Sequence, residues 1–244
     1  MDVLAFIEQR QLADMYTPLP EKEKSFKDAY RYDTLDLSHA PPIRNLEVVK
    51  SRISTLTCPS DEPQTDGRGI TFHNYVANFG NTNHIGWDHG IFTPAYVKYV
   101  GSPFVGDDWN VRHQRIVKFR EITDGLSNTL LASETVQGQD GDLRGYTWWG
   151  WSTGFETLAV PNASDPDIMQ QLQYCNPLVE ANPPCDGQTT GGLFRAAARS
   201  RHRGGVNVAM CDGSVRFVAD NVDLATWRAA STTQGEEVYA SLTP

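Results

Sequence analysis

The feature that most constrains this fold is an Asp-Gly pair that separates two alternating runs of apolar and polar residues near the C-terminus. Residues 206–211 read VNVAMC and residues 214–218 read SVRFV, with Asp212 and Gly213 between them. Such a pair favours a type I′ turn, which needs positive φ at both central residues, a conformation that glycine adopts without strain. The sequence therefore predicts a β-hairpin closed by a two-residue loop.

A two-residue loop also determines which residues of the hairpin face each other. It pairs Met210 with Val215 and Val208 with Phe217, and residues two apart along each strand then share a face. The face predicted to enter the core consists of Val206, Val208, Met210, Val215 and Phe217.

The strand before the turn bears on His202, which precedes Asp212 by ten positions. Ten residues of continuous strand span roughly 30 Å, so these two side chains are not expected to form one site. We interpret Asp212 as a turn residue. His202 is expected either to bond a carbonyl or carboxylate beside the glycine turn or to contact a metal or a partner.

Composition indicates a single globular domain, residues 1–244, that is rich in turns. The 244 residues include 20 glycines and 14 prolines, and 39% are hydrophobic, which favours β structure with long loops over disorder. The Pro- and Gly-rich stretch 156–192 is predicted to be a loop insertion within this domain.

The remaining periodic segments predict an α+β fold. A short amphipathic helix is predicted at the N-terminus from the approximately helical spacing of Leu4, Ile7, Leu12, Met15 and Tyr16. Period-two patterns predict strands within 72–80, 116–120, 128–136 and 145–155. We expect the helix to pack on a twisted antiparallel sheet that includes the hairpin, with long loops on one side.

Net charge argues against a nucleic-acid partner. The formal charge is −9, whereas binding of phosphates requires a basic surface. One local basic cluster consists of Arg195, Arg199, Arg201 and Arg203. We interpret it as solvated or internally paired charge, with an acidic partner as the alternative.

The four cysteines predict one disulfide and no zinc motif. Cys175 and Cys185 bracket a proline-rich segment that a short bridge would stabilise, and such a bridge implies an oxidising, extracytoplasmic location. No Cys-x-x-Cys pair or Cys/His zinc spacing is present. Cys58 and Cys211 are either buried thiols or a second bridge.

Four segments, in the expected order, resemble those of one family. His202, nine intervening residues and Asp212-Gly213 resemble the C-terminal H-X9-DG signature of the prepilin-like, pseudopilin-like proteins abundant in planctomycetes, the family of domain of unknown function 1559. LAFIEQRQLADMY, LTCPSDEP and EITDGLSNTLLASE resemble three further family segments. The chain is identified as a member of this family, which has also carried a bacterial solute-binding label.

The resemblance implies a pilin-like head preceded by a prepilin segment with a processing site and a long apolar helix. Met1 stands where that helix should already have ended, so the helix is either removed here or absent from the gene. We expect membrane contact only through this missing helix. Other pilin-like subunits or secretion-system components are the expected partners.

One oxygen-rich cluster is a candidate calcium site. Asp124, Ser127 and Asn128 lie close together in the sequence TDGLSNT, and Glu134 follows. Oxygen ligands at short spacing suit calcium, and heads of pilin-like proteins often carry such a site. The alternative is an Asx-turn in which Asp124 and Ser127 bond nearby amides. We expect no other cofactor.

Two further functions have candidate residues. Trp148, Trp149 and Trp151 could form a sugar-stacking platform, although strand aromatics more often fill a core. A hydrolase could use His202 with Glu134 as its orienting carboxylate, but no nucleophile motif is present.

The resemblance therefore implies a non-enzymatic structural or assembly subunit of a type II secretion or type IV pilus-like system at the cell envelope or cell surface. The alternative function is an extracytoplasmic carbohydrate- or solute-binding module, for which a glycan is the expected ligand. No catalytic residue is assigned.

Overall fold

A five-stranded sheet forms the centre of the computed structural model, which describes residues 2–18, 31–81, 102–104, 117–148, 152–169, 172–187, 195–237 and 242. Its strands are β1 (Tyr75–Asn78), β2 (Leu130–Glu134), β3 (Gly154–Phe155), β6 (Gly205–Met210) and β7 (Val215–Ala219). A second, two-stranded sheet contains β4 (Asp167–Met169) and β5 (Cys185–Gly187).

The strand order of the main sheet is β3-β1-β2-β6-β7. The pairs β1/β2, β2/β6 and β6/β7 are antiparallel, whereas β1 and β3 run parallel. The predicted α+β class is confirmed. The sheet is mixed rather than wholly antiparallel, because β3 joins the far edge beside β1.

Short helices flank the strands. The α-helices are α1 (Arg10–Met15), α2 (Asn45–Lys50) and α3 (Leu224–Ala229), and 3-10 helices occupy Asp2–Phe6, Ser54–Leu56, Phe119–Glu121 and Leu172–Tyr174. Among the described residues, no helix has both the length and the apolar character needed to cross a bilayer.

The N-terminal helical segment packs differently from the prediction. Leu4 is buried together with Val48 and Ile53, so its core contacts come from α2 and the residues after it rather than from the sheet. Helix α3 covers the inner face of the sheet instead, where Trp227 packs with Phe155 and the β6 valines. The Asp223 carboxylate caps α3 by accepting from the backbone N–H of Thr226 at 2.8 Å.

The hairpin is present, but its predicted register is wrong by one residue. Val208 pairs with Arg216 and Ala209 with Val215, so the loop has three residues, and Gly213 at φ 84° is the member in the left-handed region. Because side chains alternate, a one-residue shift moves a whole strand to its other face. Val215 is consequently exposed, and so in part is Phe217, the next residue of β7 on the same face.

One other segment differs from its prediction. Residues 119–121 form a 3-10 helix rather than part of a strand, with the Glu121 carboxylate accepting from the backbone N–H of Lys118 at 2.7 Å. The stretch 156–192, whose status as an insertion stays a prediction, contains the parallel pair of β4 and β5. The predicted disulfide between Cys175 and Cys185 is confirmed, with 6.1 Å between the Cα atoms.

Candidate functional site

Three side chains from distant parts of the sequence meet at the end of β2. Glu134 is the last residue of β2, Cys58 follows the 3-10 helix Ser54–Leu56, and His202 lies in the turn before β6. The Nε2 atom of His202 lies 3.0 Å from Oε1 of Glu134 and 3.6 Å from Sγ of Cys58. Cys58 and Glu134 are buried, whereas the His202 side chain is 28% exposed, so the cluster has one side open to solvent.

Hydrogen bonds hold the Glu134 side chain and the Cys58 backbone in place. The backbone N–H of Asn207 donates to Oε2 of Glu134 at 2.7 Å, and its side-chain amide donates to Oε1 at 3.2 Å. The backbone N–H of Cys58 donates to Oδ1 of Asn74 at 2.9 Å. The Glu134 carboxylate is therefore held by Asn207 on β6, and the backbone of Cys58 is held by Asn74, the residue before β1.

The turn that carries His202 is fixed by its own hydrogen bonds. The backbone N–H of His202 donates to Oγ of Ser200 at 3.1 Å, and that hydroxyl donates to the carbonyl of Gly205 at 2.7 Å. Gly204 has φ 84°, a conformation that side chains other than glycine rarely adopt. The glycine pair after His202 thus folds the chain back so that the imidazole reaches Glu134.

A buried polar hub lies three residues beyond Cys58. The Asp61 carboxylate accepts from Nδ2 of Asn74 at 2.7 Å, from the backbone N–H of Gln137 at 2.8 Å and from Nε of Arg201 at 3.1 Å. Three hydrogen-bond donors from separate segments therefore hold the turn that begins at Cys58.

Tyr75 completes the immediate surroundings of the cluster. Its register partner in β2 is Glu134. Burial raises the pKa of the Tyr75 hydroxyl, and electrostatic interaction with Cys58 and Glu134 raises it further. The phenol is therefore neutral at pH 7 and remains a hydrogen-bond donor.

This arrangement does not match a nucleophile relay. In a Cys-His-carboxylate relay the two imidazole nitrogens have separate tasks, one toward the nucleophile and the other toward the carboxylate. Here Cys58 and Glu134 both approach Nε2 of His202. The sequence pointed to the pairing of His202 with Glu134, but not to Cys58, which lies 144 positions from His202.

The four residues of the predicted calcium site lie in two different places. The Asp124 carboxylate accepts from the backbone N–H groups of Gly235 and Glu236 at 2.8 and 2.9 Å. Asn128 donates to the Asp124 carbonyl at 3.0 Å, and the Ser127 carbonyl accepts from Arg216 at 2.8 Å. Glu134 instead joins Cys58 and His202. Glu134 is therefore not part of a calcium site at Asp124, and calcium binding by Asp124, Ser127 and Asn128 stays a prediction.

One tryptophan of the predicted sugar platform lies within the described residues. Trp148 is partly buried; its indole N–H donates to the Thr71 carbonyl at 2.7 Å, and its ring makes an edge contact with His73. This side chain belongs to the core packing around α2. Trp149 and Trp151 lie outside the described residues.

Three of the four clustered arginines bond within the chain. Arg199 forms a buried ion pair with Asp167 at 2.8 Å, Arg201 pairs with Asp61, and Arg195 donates to the Pro166 carbonyl. The fourth, Arg203, is exposed. Internal pairing therefore accounts for most of this cluster.

The remaining predicted residues take structural positions. The Asp212 carboxylate accepts from the backbone N–H and hydroxyl of Ser214, and these bonds lower its pKa, the hydroxyl most of all. Cys58 and Cys211 are free and buried. Burial raises the pKa of the Cys211 thiol to about 11, so this residue stays protonated at pH 7.

Comparison with known proteins identifies one family. The model of a family described as "Protein of unknown function (DUF1559)" matches residues 1–225. No curated protein and no solved structure matches the chain significantly.

Proposed function

The chain belongs to the DUF1559 family of proteins of unknown function, and from this premise we propose that it is a non-enzymatic structural or assembly subunit of a type II secretion or type IV pilus-like system. Its partners are copies of itself or other pilin-like subunits, and it works at the extracytoplasmic side of the cell envelope. The resemblance of its sequence segments to prepilin-like proteins supports this proposal.

One observation on the sheet carries the proposal. The strand registers place alternate residues of four strands on the outer face of the main sheet, opposite α3. The apolar members of this outer face are Tyr75, Ala77, Ala132, Ala209, Val215, Phe217 and Ala219, and Glu134 and Asn207 are its polar members on β2 and β6. Val215 is 70% exposed and Phe217 is 44% exposed, and both lie on the edge strand β7.

An exposed apolar face on an edge strand suits contact with another subunit. Contiguous apolar patches on folded chains mark interaction surfaces, and an edge strand offers unpaired backbone groups beside them. The register of β7 puts Arg216 on the opposite face, so β7 adds no charged side chain to the outer face. Copies packed through this face would bury the patch.

Two further observations support the location and the absence of catalysis. A disulfide between Cys175 and Cys185 is typical of proteins that fold in oxidising compartments. The approach of Cys58 and Glu134 to a single nitrogen of His202 disfavours a hydrolytic relay.

Replacement of Val215 by lysine in the full-length gene product tests the proposal. Lysine on an exposed edge strand leaves folding nearly unchanged, within about 0.5 kcal/mol, but its charge opposes burial against another subunit. We expect the variant to reach the cell envelope and to fall at least tenfold in the filaments sheared from the cell surface, measured by quantitative immunoblotting.

Leu178→Lys is the matched control, because Leu178 is an apolar residue that is 94% exposed outside the sheet. This variant should remain in the sheared fraction at the wild-type level. The proposal is wrong if the wild-type chain never appears in that fraction, or if both lysine variants assemble equally well.

A further inference from the structure

We propose that Cys58, Glu134 and His202 bind one divalent transition-metal ion, zinc in the first place. The three side chains offer a thiolate, a carboxylate oxygen and an imidazole nitrogen, and these atoms lie within 4.8 Å of one another. Each comes from a different segment, and each of these segments belongs to a different stretch that carries the family resemblance.

The distances between the donor atoms suit a tetrahedral ion. Zinc bonds of about 2.3 Å to sulfur and 2.0–2.1 Å to nitrogen or oxygen place neighbouring ligand atoms about 3.3–3.5 Å apart. The separations here are 3.6 Å between Sγ of Cys58 and Nε2 of His202, and 3.0 Å between that nitrogen and Oε1 of Glu134. Both separations are within a few tenths of an ångström of the tetrahedral values, and the third, between the Cys58 sulfur and the Glu134 oxygen, is at most 4.8 Å.

Hydrogen bonds alone do not satisfy all three of these side-chain atoms. Nε2 of His202 can either donate its one hydrogen to the Glu134 carboxylate or accept the hydrogen of the Cys58 thiol, so it does not satisfy both neighbours at once. A cation between the three atoms bonds to each of them fully. Binding would release the Cys58 thiol proton to solvent, since the thiolate is the form that coordinates.

The surroundings of the cluster supply the outer shell that metal ligands require. Asn207 bonds both oxygens of the Glu134 carboxylate, and Asn74 holds the backbone of Cys58. Such partners orient ligands before an ion arrives. The partly exposed edge of His202 leaves the fourth position to water or to an exchangeable ligand.

The donor set selects the class of metal. A thiolate with an imidazole favours zinc and related borderline ions over calcium or magnesium, which prefer oxygen ligands. The other metal-competent group among the described residues consists of Asp142, Cys175 and Cys185. The two cysteines of that group are joined as a disulfide and cannot act as thiolate ligands.

Metal titration of the chelator-stripped protein tests the proposal. We expect the wild-type chain to bind one equivalent of zinc by calorimetry, with a rise in melting temperature. With cobalt in place of zinc, we expect a thiolate-to-cobalt charge-transfer band in the near ultraviolet. Cys58→Ser should remove the band and weaken zinc binding about 100-fold or more.

Cys211→Ser is the matched control, because Cys211 is the other free, buried cysteine; this variant should bind zinc and keep the band. The proposal is overturned if the wild-type chain binds no zinc, or if Cys58→Ser binds zinc as tightly as wild type. Should Cys58→Ser fail to fold, the cobalt spectra of the wild type and of Cys211→Ser decide, and absence of the band in both contradicts the site.

Discussion

At the scale of single residues, burial of polar side chains links this fold to pH. His73 is buried; its Nδ1 atom lies 2.6 Å from the Thr147 hydroxyl, and its Nε2 atom has no hydrogen-bond partner among the described residues. Burial lowers the pKa of His73 to about 4, with a smaller contribution from the charge of Arg52. The folded chain therefore holds this imidazole neutral at pH 7.

This histidine should make the fold sensitive to acid below pH 6.5. The unfolded chain binds a proton near pH 6.5, whereas the folded chain does so only near pH 4. Above pH 6.5 neither state binds this proton, so His73 does not reduce the free energy of unfolding. As the pH falls from 6.5 toward 4, only the unfolded chain binds the proton, and the folded chain loses stability relative to it. We expect the free energy of unfolding to decrease through His73 by up to about 1.4 kcal/mol per pH unit in this window.

Urea unfolding at pH 7, 6, 5 and 4.5 measures the effect. His73→Gln cannot take up the proton, so its free energy of unfolding should fall less steeply with decreasing pH than that of the wild type. His39→Gln, at a partly exposed position, should keep the wild-type dependence. Equal slopes for all three proteins would contradict the role of His73.

At the scale of elements, local patterns predicted the strands and the turn of the hairpin but not its register. The alternation and the Asp-Gly pair predicted two strands and a turn between residues 206 and 218, and both strands are present. The register was wrong because Asp-Gly is compatible with two-residue and three-residue loops. The choice depends on packing outside the hairpin: Val218 is buried against the core, whereas Val215 is exposed.

Gly205 shows how closely the observed register is packed. A Cβ atom there would contact the carbonyl of Val218 and would lie 2.7 Å from the ring of Phe217. Gly205→Ala should therefore cost about 1–3 kcal/mol of stability by overpacking. Gly213→Ala has room for its Cβ but must hold φ near 84°, which costs about 1 kcal/mol.

Thermal and urea unfolding measure this series. Gly67→Ala is the control, because a Cβ at Gly67 meets nothing within 4 Å and its φ lies outside the left-handed region; it should stay within about 0.5 kcal/mol of wild type. A Gly205→Ala variant as stable as Gly67→Ala would argue against this register.

At the scale of the whole molecule, long-range contacts are what the sequence could not predict. The family resemblance, the α+β class and the Cys175–Cys185 bridge follow from local patterns and are confirmed. The packing of the N-terminal helix against α2 does not follow from a local pattern. An amphipathic pattern indicates that one helix face is buried, but not which element covers it. The sequence also contained no signal that Cys58 lies beside Glu134 and His202, because metal motifs are recognised by close spacing along the chain and these residues are far apart in the sequence.

An ionic network joins the two-stranded sheet to the rest of the molecule. The Asp167 carboxylate on β4 pairs with Arg144 at 3.0 Å and with Arg199 at 2.8 Å, and it accepts from the backbone N–H of Ala197 at 3.0 Å. All three side chains are almost fully buried. Arg199 in turn donates its backbone N–H to the carbonyl of Glu134 on the main sheet.

Removal of Asp167 should therefore loosen the whole fold rather than one strand. Asp167→Ala leaves two buried guanidinium groups short of their shared carboxylate, and breaking such a pair costs about 3–5 kcal/mol. Asp14→Ala, which breaks the exposed ion pair with Arg10, should cost less than about 1 kcal/mol. Urea unfolding followed at Trp fluorescence and by far-ultraviolet circular dichroism should give coincident, equally shifted transitions for Asp167→Ala. A wild-type midpoint for that variant would show that the network contributes little to the stability of the native state.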